Sequence, residues 1–461
     1  MKRKYMAMAA MMLVMLLNQG CKENAEAKKF LAEFHKVNGS EKSELIAPWF
    51  PPGDIPDDAD QRYVDRWGWQ LFIYANWPAE PGRRGVPVKG GIIGRGDKTV
   101  VWETWKAPEE VFWADGKKHG NWETYSLPGL PNQCPKPNKG ELLIDRTNQA
   151  VGGSVMAQNN TMLHYFISFD KTIFDYIMKG YGQIDEDKGY YNVRNQGKST
   201  VMNFSPGAME MKASWKIITP GDDKERYILR KSIVFTPAQK NFDERGNRLP
   251  DTPATCSSQE VALVGLHFIR KVKVKGSPQW VMATFEQVDN VPPFGTYRTP
   301  GKEPGRTLPY SLFNMNCYSG GCIYNQSIED RRPWYKPTEV IRVVDIGPEA
   351  KKLNQDFRRL FESINSKWQY YEMIDTQWTY DPTQPPLGQP TPMAVSNTTM
   401  ETYLKVGDSS CLGCHHTAKT KDTKVFGDYS FMFAQACPDN RDFPWSWPAN
   451  NVPRVIPDVC K

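Results

Sequence analysis

The sequence predicts an α+β fold, mainly antiparallel β as a sandwich or distorted barrel, with a small, mostly helical C-terminal module. Three features lead there. Short alternating or apolar runs separated by Gly, Pro, Asn and Asp fill residues 140–345. One long helical periodicity follows Pro348. A proline-rich linker at 381–390 then sets off residues 391–461. A chain of 461 residues fits two or three domains, or one large β domain with an appendage.

The chain opens with Lys2, Arg3 and Lys4 before the apolar run Met6 to Leu17. That run is too short to cross a bilayer as a helix and suits a signal peptide over residues 1–20. Leu16-Leu17-Asn18-Gln19-Gly20-Cys21 places a small residue before a cysteine, as the lipobox of bacterial lipoproteins does. Asn18 and Gln19 depart from that pattern. The expectation is lipidation at Cys21; the alternative is simple cleavage, with Ala25-Glu26-Ala27 as the site. Either route exports the chain, to the periplasm or the outer membrane. Residues 21–45, rich in Lys, Glu and Ala, read as a tether. No second apolar run follows, so no membrane span is expected.

Residues 46–347 read as a β-rich domain. Pro56-Asp57-Asp58-Ala59-Asp60 lacks the regular acidic ladder of a calcium loop and reads as a solvated helix start. Arg66 to Tyr74 is a mostly buried helix or strand, and Val100 to Trp105 a second aromatic stretch. Fifteen tryptophans raise the idea of a sugar-binding face, but tryptophans inside apolar runs read as core. Strands are expected over Leu142 to Asp145, Met162 to Ser168, Ala208 to Ile218, Tyr227 to Thr236, Glu260 to Val272 and Gln279 to Val288. Glu286 and Asp289 suggest an acid–base pair, yet side chains three apart on a strand point to opposite faces. Residues 348–380 read as an amphipathic helix and connector. Leu353, Phe357, Leu360, Phe361, Ile364 and Trp368 recur at helical steps, and Pro348 with Glu349 suits a helix start.

Cys411-Leu412-Gly413-Cys414-His415 carries the chemistry. Two thiols three positions apart match the two vinyl groups of one porphyrin, and the next residue's imidazole reaches the iron as axial ligand. Chance would place about 0.002 such strings in a chain with nine cysteines and six histidines. Zinc is the rival occupant, but a structural zinc site shows a second ligand pair at similar spacing, and the sequence offers none. Cysteine usage fits an oxidising compartment. With Cys21, Cys411 and Cys414 assigned, six cysteines remain, an even number. Cys317 with Cys322 and Cys437 with Cys460 are the first pairings expected, leaving Cys134 and Cys256 for each other; sequence alone does not choose the connectivity.

Residues 391–461 are therefore a haem c module, with one covalent haem held by Cys411, Cys414 and His415. Asn397 to Leu404 reads as a short capped helix and Asp428 to Ala436 as a short helix or strand. Such a module is small enough that burial against the β domain is expected. The sixth iron ligand is left between Met432, the one methionine after the haem string, Met400 or Met393 upstream, and an open or water-bound site. His416 cannot reach the opposite face. His267, inside the nearly all-apolar run Val261 to Ile269, reads as a core histidine in preference to an iron ligand.

The haem string belongs to c-type cytochromes in general. Asn397-Thr398-Thr399-Met400-Glu401-Thr402-Tyr403 and the stretch from Gln279-Trp280 to Asn290-Val291-Pro292 resemble blocks of a set of large bacterial monohaem cytochrome family proteins. The resemblance implies thioethers at Cys411 and Cys414 and a proximal ligand at His415, and supplies no substrate. The expected function is an exported cytochrome passing single electrons to or from a redox partner, with the membrane reached only through a lipid anchor. A haem enzyme with an open iron site, peroxidase- or oxidase-like, and a haem-bearing module for a ligand or polymer are the alternatives. A net charge of +6 spread without runs implies no nucleic acid.

Overall fold

The structure, a computed structural model, describes residues 48–435 except 90, 95–97, 113–119, 126–133, 139, 151, 181–201, 244–246, 297–307, 320, 328–336, 381–389 and 419–425, together with residues 30, 32–34 and 36. An eight-stranded, almost wholly antiparallel sheet organises it. The strands are β1 (Leu143–Ile144), β2 (Leu163–Phe169), β3 (Met209–Ile217), β4 (Leu229–Thr236), β7 (Thr255–Val274), β8 (Ser277–Gln287), β9 (Tyr371–Thr379) and β10 (Pro390–Thr391). β5 (Gln239–Phe242) and β6 (Arg248–Thr252) form a separate ribbon.

The 20-residue β7 is the spine. It pairs β4 along its first half and β8 along its second, while β3 pairs residues 261–270. β9 follows β8 and β10 follows β9; β2 pairs β3. Only the short β1–β4 pair is parallel. The sheet does not close on itself, so the expected sandwich or barrel is corrected to one open sheet. The physical reason is what covers it: helices on one side and the C-terminal segment on the other, so no second sheet is needed to bury its faces.

Helices α1 (Gln61–Ala75) and α3 (Pro348–Ser363) pack together and onto the sheet; α2 (Lys171–Gly180) lies between β2 and β3 in the chain. The Asp60 carboxylate accepts from the Tyr63 N–H at 2.8 Å, so the acidic cluster does start a helix. Trp69 of α1 stacks on Phe357 of α3 at 4.3 Å and meets Phe285 of β8 edge-on at 5.0 Å. Phe72 contacts Phe285, Trp368 and Phe268. Each such ring contributes on the order of 2–3 kcal/mol by burial. Trp69, Trp77, Trp102, Trp215, Trp280, Trp368 and Trp378 are fully buried, which makes them core.

β9 and α2 escape the sequence pattern, as do the short β5, β6 and β10. β9 falls where a connector is read, because its polar Glu372, Asp375 and Gln377 interrupt the apolar residues. α2 carried a readable signal. Asp170 accepts from the Ile173 N–H at 3.2 Å as a cap, and Ile173 and Ile177 follow at helical spacing.

Where α1 crosses β8 and β9 the approach is close. A Cβ on Gly68 would lie 2.3 Å from Thr376 Oγ1 and 2.9 Å from Met373 Cε. Gly68→Ala is expected to cost about 1–3 kcal/mol, read as a lower urea midpoint. Nearby, Gln61 Nε2 donates to both Asp65 and Asp375. Burial raises both carboxyls, that of Asp375 to about 7, and the Asp375 charge adds to the rise at Asp65. The folded chain thus keeps a proton that the unfolded chain releases near pH 4, about the ordinary aspartate value. This pair favours folding at acid pH, and its contribution is lost as pH rises toward 7. Asp375→Asn is expected to flatten that part of the stability profile, measured as denaturation midpoints between about pH 4 and 8.

Candidate functional site

The sheet face away from α1 and α3 is polar. Register sets Lys212 beside His267 and Ser214 beside Gly265 across β3 and β7. It sets His267 beside Thr284 and Gly265 beside Glu286 across β7 and β8. Directly opposed residues share a face.

Residues 395–418 and 426–433 lie on this face and satisfy its polar groups. Asn397 Nδ2 donates to Thr284 Oγ1 at 2.8 Å and to the Phe285 carbonyl at 3.0 Å. The Thr398 N–H and hydroxyl both donate to Glu286 at 2.6 Å. Thr399 Oγ1 is 2.6 Å from Ser214 Oγ, and the Tyr165 hydroxyl donates to the Thr399 carbonyl at 2.7 Å. A Cβ at Gly265 would lie 2.3 Å from Thr399 Oγ1, so glycine lets the segment come this close. Further along, the Leu412 N–H donates to Gln377 Oε1 at 2.6 Å and the Ser430 hydroxyl to Glu210 at 2.5 Å.

The cysteine–histidine string forms a short helical turn, α4 (Cys411–His415), capped by Ser410, whose hydroxyl accepts from the Gly413 N–H at 3.0 Å. Helical spacing puts Cys414 and His415 three and four positions from Cys411, on one side of the turn. Cys411 is buried and Cys414 partly exposed, and both are free thiols. The other four described cysteines are joined as Cys134–Cys256 and Cys317–Cys322.

His415 Nδ1 bonds to the Tyr429 carbonyl at 2.7 Å. With Nδ1 as donor, Nε2 is the atom left for a metal. The carbonyl is held in place by an unusual turn: Asp428 and Tyr429 both have positive φ, 50° and 67°. Asp428 is anchored by Lys271 Nζ at 2.6 Å, by Trp280 Nε1 at 3.1 Å and by the Phe204 N–H at 2.6 Å. Phe431 meets the His415 ring edge-on at 5.1 Å. The His267 ring lies 5.6 Å away, within 16° of parallel.

Burial sets the charge states. It pushes His415 down to about 4 and His267 well below the usual imidazole range, with His415 adding to the latter and the Lys212 cation to both. It raises Glu210 and Glu401 to about 7 and the thiols of Cys411 and Cys414 above their usual range. Both imidazoles are therefore neutral at pH 7, the form that ligates metals.

The other sequence candidates are placed as follows. Met432 is fully buried in the main core, which also holds Cys411, Leu412 and Phe433. Met400 is buried in a separate cluster with Val155, Tyr165 and Leu312, and Met393 is exposed. Glu286 and Asp289 do not converge: Glu286 pairs with Arg342 at 3.0 Å and Asp289 with Arg226 at 2.5 Å. The roles of Tyr429, Lys212 and Gln377 were not read from the sequence, because each depends on a tertiary contact. The expected signal peptide, Cys21, Cys437, Cys460 and residues 381–389 of the proline-rich stretch lie outside the described residues, as does most of the expected tether. Among the described residues no three His, Cys, Asp or Glu side chains group as a metal-ligand set. No described helix is long and apolar enough to cross a membrane. The chain matches no protein-family model, no curated protein and no solved structure.

Glu286 is the joint between sheet and segment. Glu286→Ala leaves the buried Arg342 without this partner and removes both Thr398 bonds. The expected cost is about 3–5 kcal/mol, with faster amide hydrogen exchange over residues 397–404 by mass spectrometry.

Proposed function

We propose that this protein is an exported c-type cytochrome carrying one covalent haem, which passes single electrons to or from a partner protein at the periplasm or outer membrane. Cys411 and Cys414 would hold it through thioethers, each thiol adding across one vinyl group. His415 is the proximal ligand. When bound, the group supplies a one-electron Fe(III)/Fe(II) couple.

The observation that carries this reading is the state of the string itself. Its two thiols stay free on one side of a helical turn while the other four described cysteines are paired. The same turn presents an imidazole whose Nδ1 is tied to a backbone carbonyl, the support that metal-binding histidines usually have. The donor set thus fits haem c by residue type and spacing. Export is supported by the basic and apolar start of the chain and by the two disulfides, which belong to an oxidising compartment. Cys21 is the lipid anchor in this reading. Electron transfer is favoured over an enzyme because it requires only residues already at hand, without a substrate cleft beside the iron.

The test is expression in a bacterium with a haem c maturation system, followed by denaturing electrophoresis and haem staining. The full chain is expected to keep its haem through denaturation, and the Cys411→Ser, Cys414→Ser double variant to lose it entirely. A chain that never retains haem overturns the proposal.

A further inference from the structure

The geometry points to His267 as the second axial ligand of the iron, opposite His415, so that the centre is six-coordinate with two imidazoles. This rests on the haem c reading above and goes beyond it by naming a ligand that the sequence leaves open.

Three observations converge. First, His267 is 5% exposed, and neither ring nitrogen has a hydrogen-bond partner. A buried polar side chain without partners costs about 1–3 kcal/mol, and native structures rarely leave one without a role. His164, the other fully buried histidine described, shows how this chain treats a structural imidazole: its Nδ1 meets the Met162 carbonyl at 2.9 Å and its Nε2 meets Thr236 Oγ1 at 3.1 Å.

Second, the partner of His267 is the proximal histidine itself. The two rings are within 16° of parallel with centroids 5.6 Å apart. Two imidazoles bound to opposite sides of one metal, with metal–nitrogen bonds of about 2 Å, have centroids roughly 6 Å apart. The observed separation is close to that span.

Third, the backbone holding His267 is rigid. It sits in the middle of β7 with β3 on one side and β8 on the other. Such a ligand is fixed in place before any metal arrives. Met400 belongs to a different cluster and Met393 faces solvent, so neither competes from this position. Met432 remains the rival, buried next to Phe431.

Visible and electron paramagnetic resonance spectra of the full-length, haem-loaded protein test this directly. The wild-type protein is expected to be low-spin in both oxidation states. It should lack the methionine–sulfur charge-transfer band and be unaffected by carbon monoxide. His267→Ala is expected to keep its covalent haem but convert to a high-spin ferric form that binds carbon monoxide, and added imidazole should restore the low-spin spectrum. His267→Met, if the alanine variant does not accumulate, is expected to gain the charge-transfer band. A methionine band or a high-spin spectrum in the wild-type protein overturns the assignment, as does a His267→Ala protein that remains low-spin, with Met432→Leu then expected to lose that state. Any of these outcomes with haem still covalently bound sinks the ligand assignment alone; absence of covalent haem sinks the haem reading.

Discussion

The structure depends on one constraint: a sheet with an apolar face and a polar one must find different partners for each. Aromatic packing serves the first, with Trp69 and Phe72 of α1 set among Phe285, Phe357 and Trp368. The second carries Glu210, Ser214, Thr284 and Glu286, groups that burial penalises unless hydrogen-bonded. Asn397, Thr398, Thr399 and Ser430 supply those bonds almost group by group. The C-terminal segment is therefore held by polar complementarity alongside the buried Leu412, Met432 and Phe433, and its position is set to the accuracy of hydrogen bonds.

In the proposed haem c reading that accuracy has a chemical use. The segment brings α4 to the sheet and fixes the His415 ring through the Tyr429 carbonyl, which is itself set by the Asp428 anchors to Lys271 and Trp280. The result is an imidazole oriented before any cofactor is present. Lys212 and the buried surroundings keep it neutral, and the two thiols beside it are free. Those are the properties that covalent haem attachment requires of a protein.

Much of this was legible in the sequence. The strands β2, β3, β4, β7 and β8 announced themselves through alternation and turn residues, and α3 through its helical period after Pro348. The cysteine–histidine string stood out because its residue types and spacing are rare by chance. What stayed hidden was tertiary. β9 lies next to last in the sheet and its two faces serve an apolar helix and a polar segment, so its pattern resembles neither a uniformly apolar strand nor a simple alternation. A single open sheet and a sandwich produce the same strand signals, since the difference lies in what covers the faces. His267 looked like a core histidine because the strand around it is apolar; only the fold shows that its unsatisfied nitrogens lie beside His415.

The central claim is the covalent site, and peptide mass mapping tests it most directly. The mature protein would be digested and the fragment spanning residues 411–415 weighed. The account predicts a fragment heavier by one haem, with both thiols consumed and His415 unmodified. The same fragment recovered as free thiols, as a Cys411–Cys414 disulfide or as a zinc complex would contradict it.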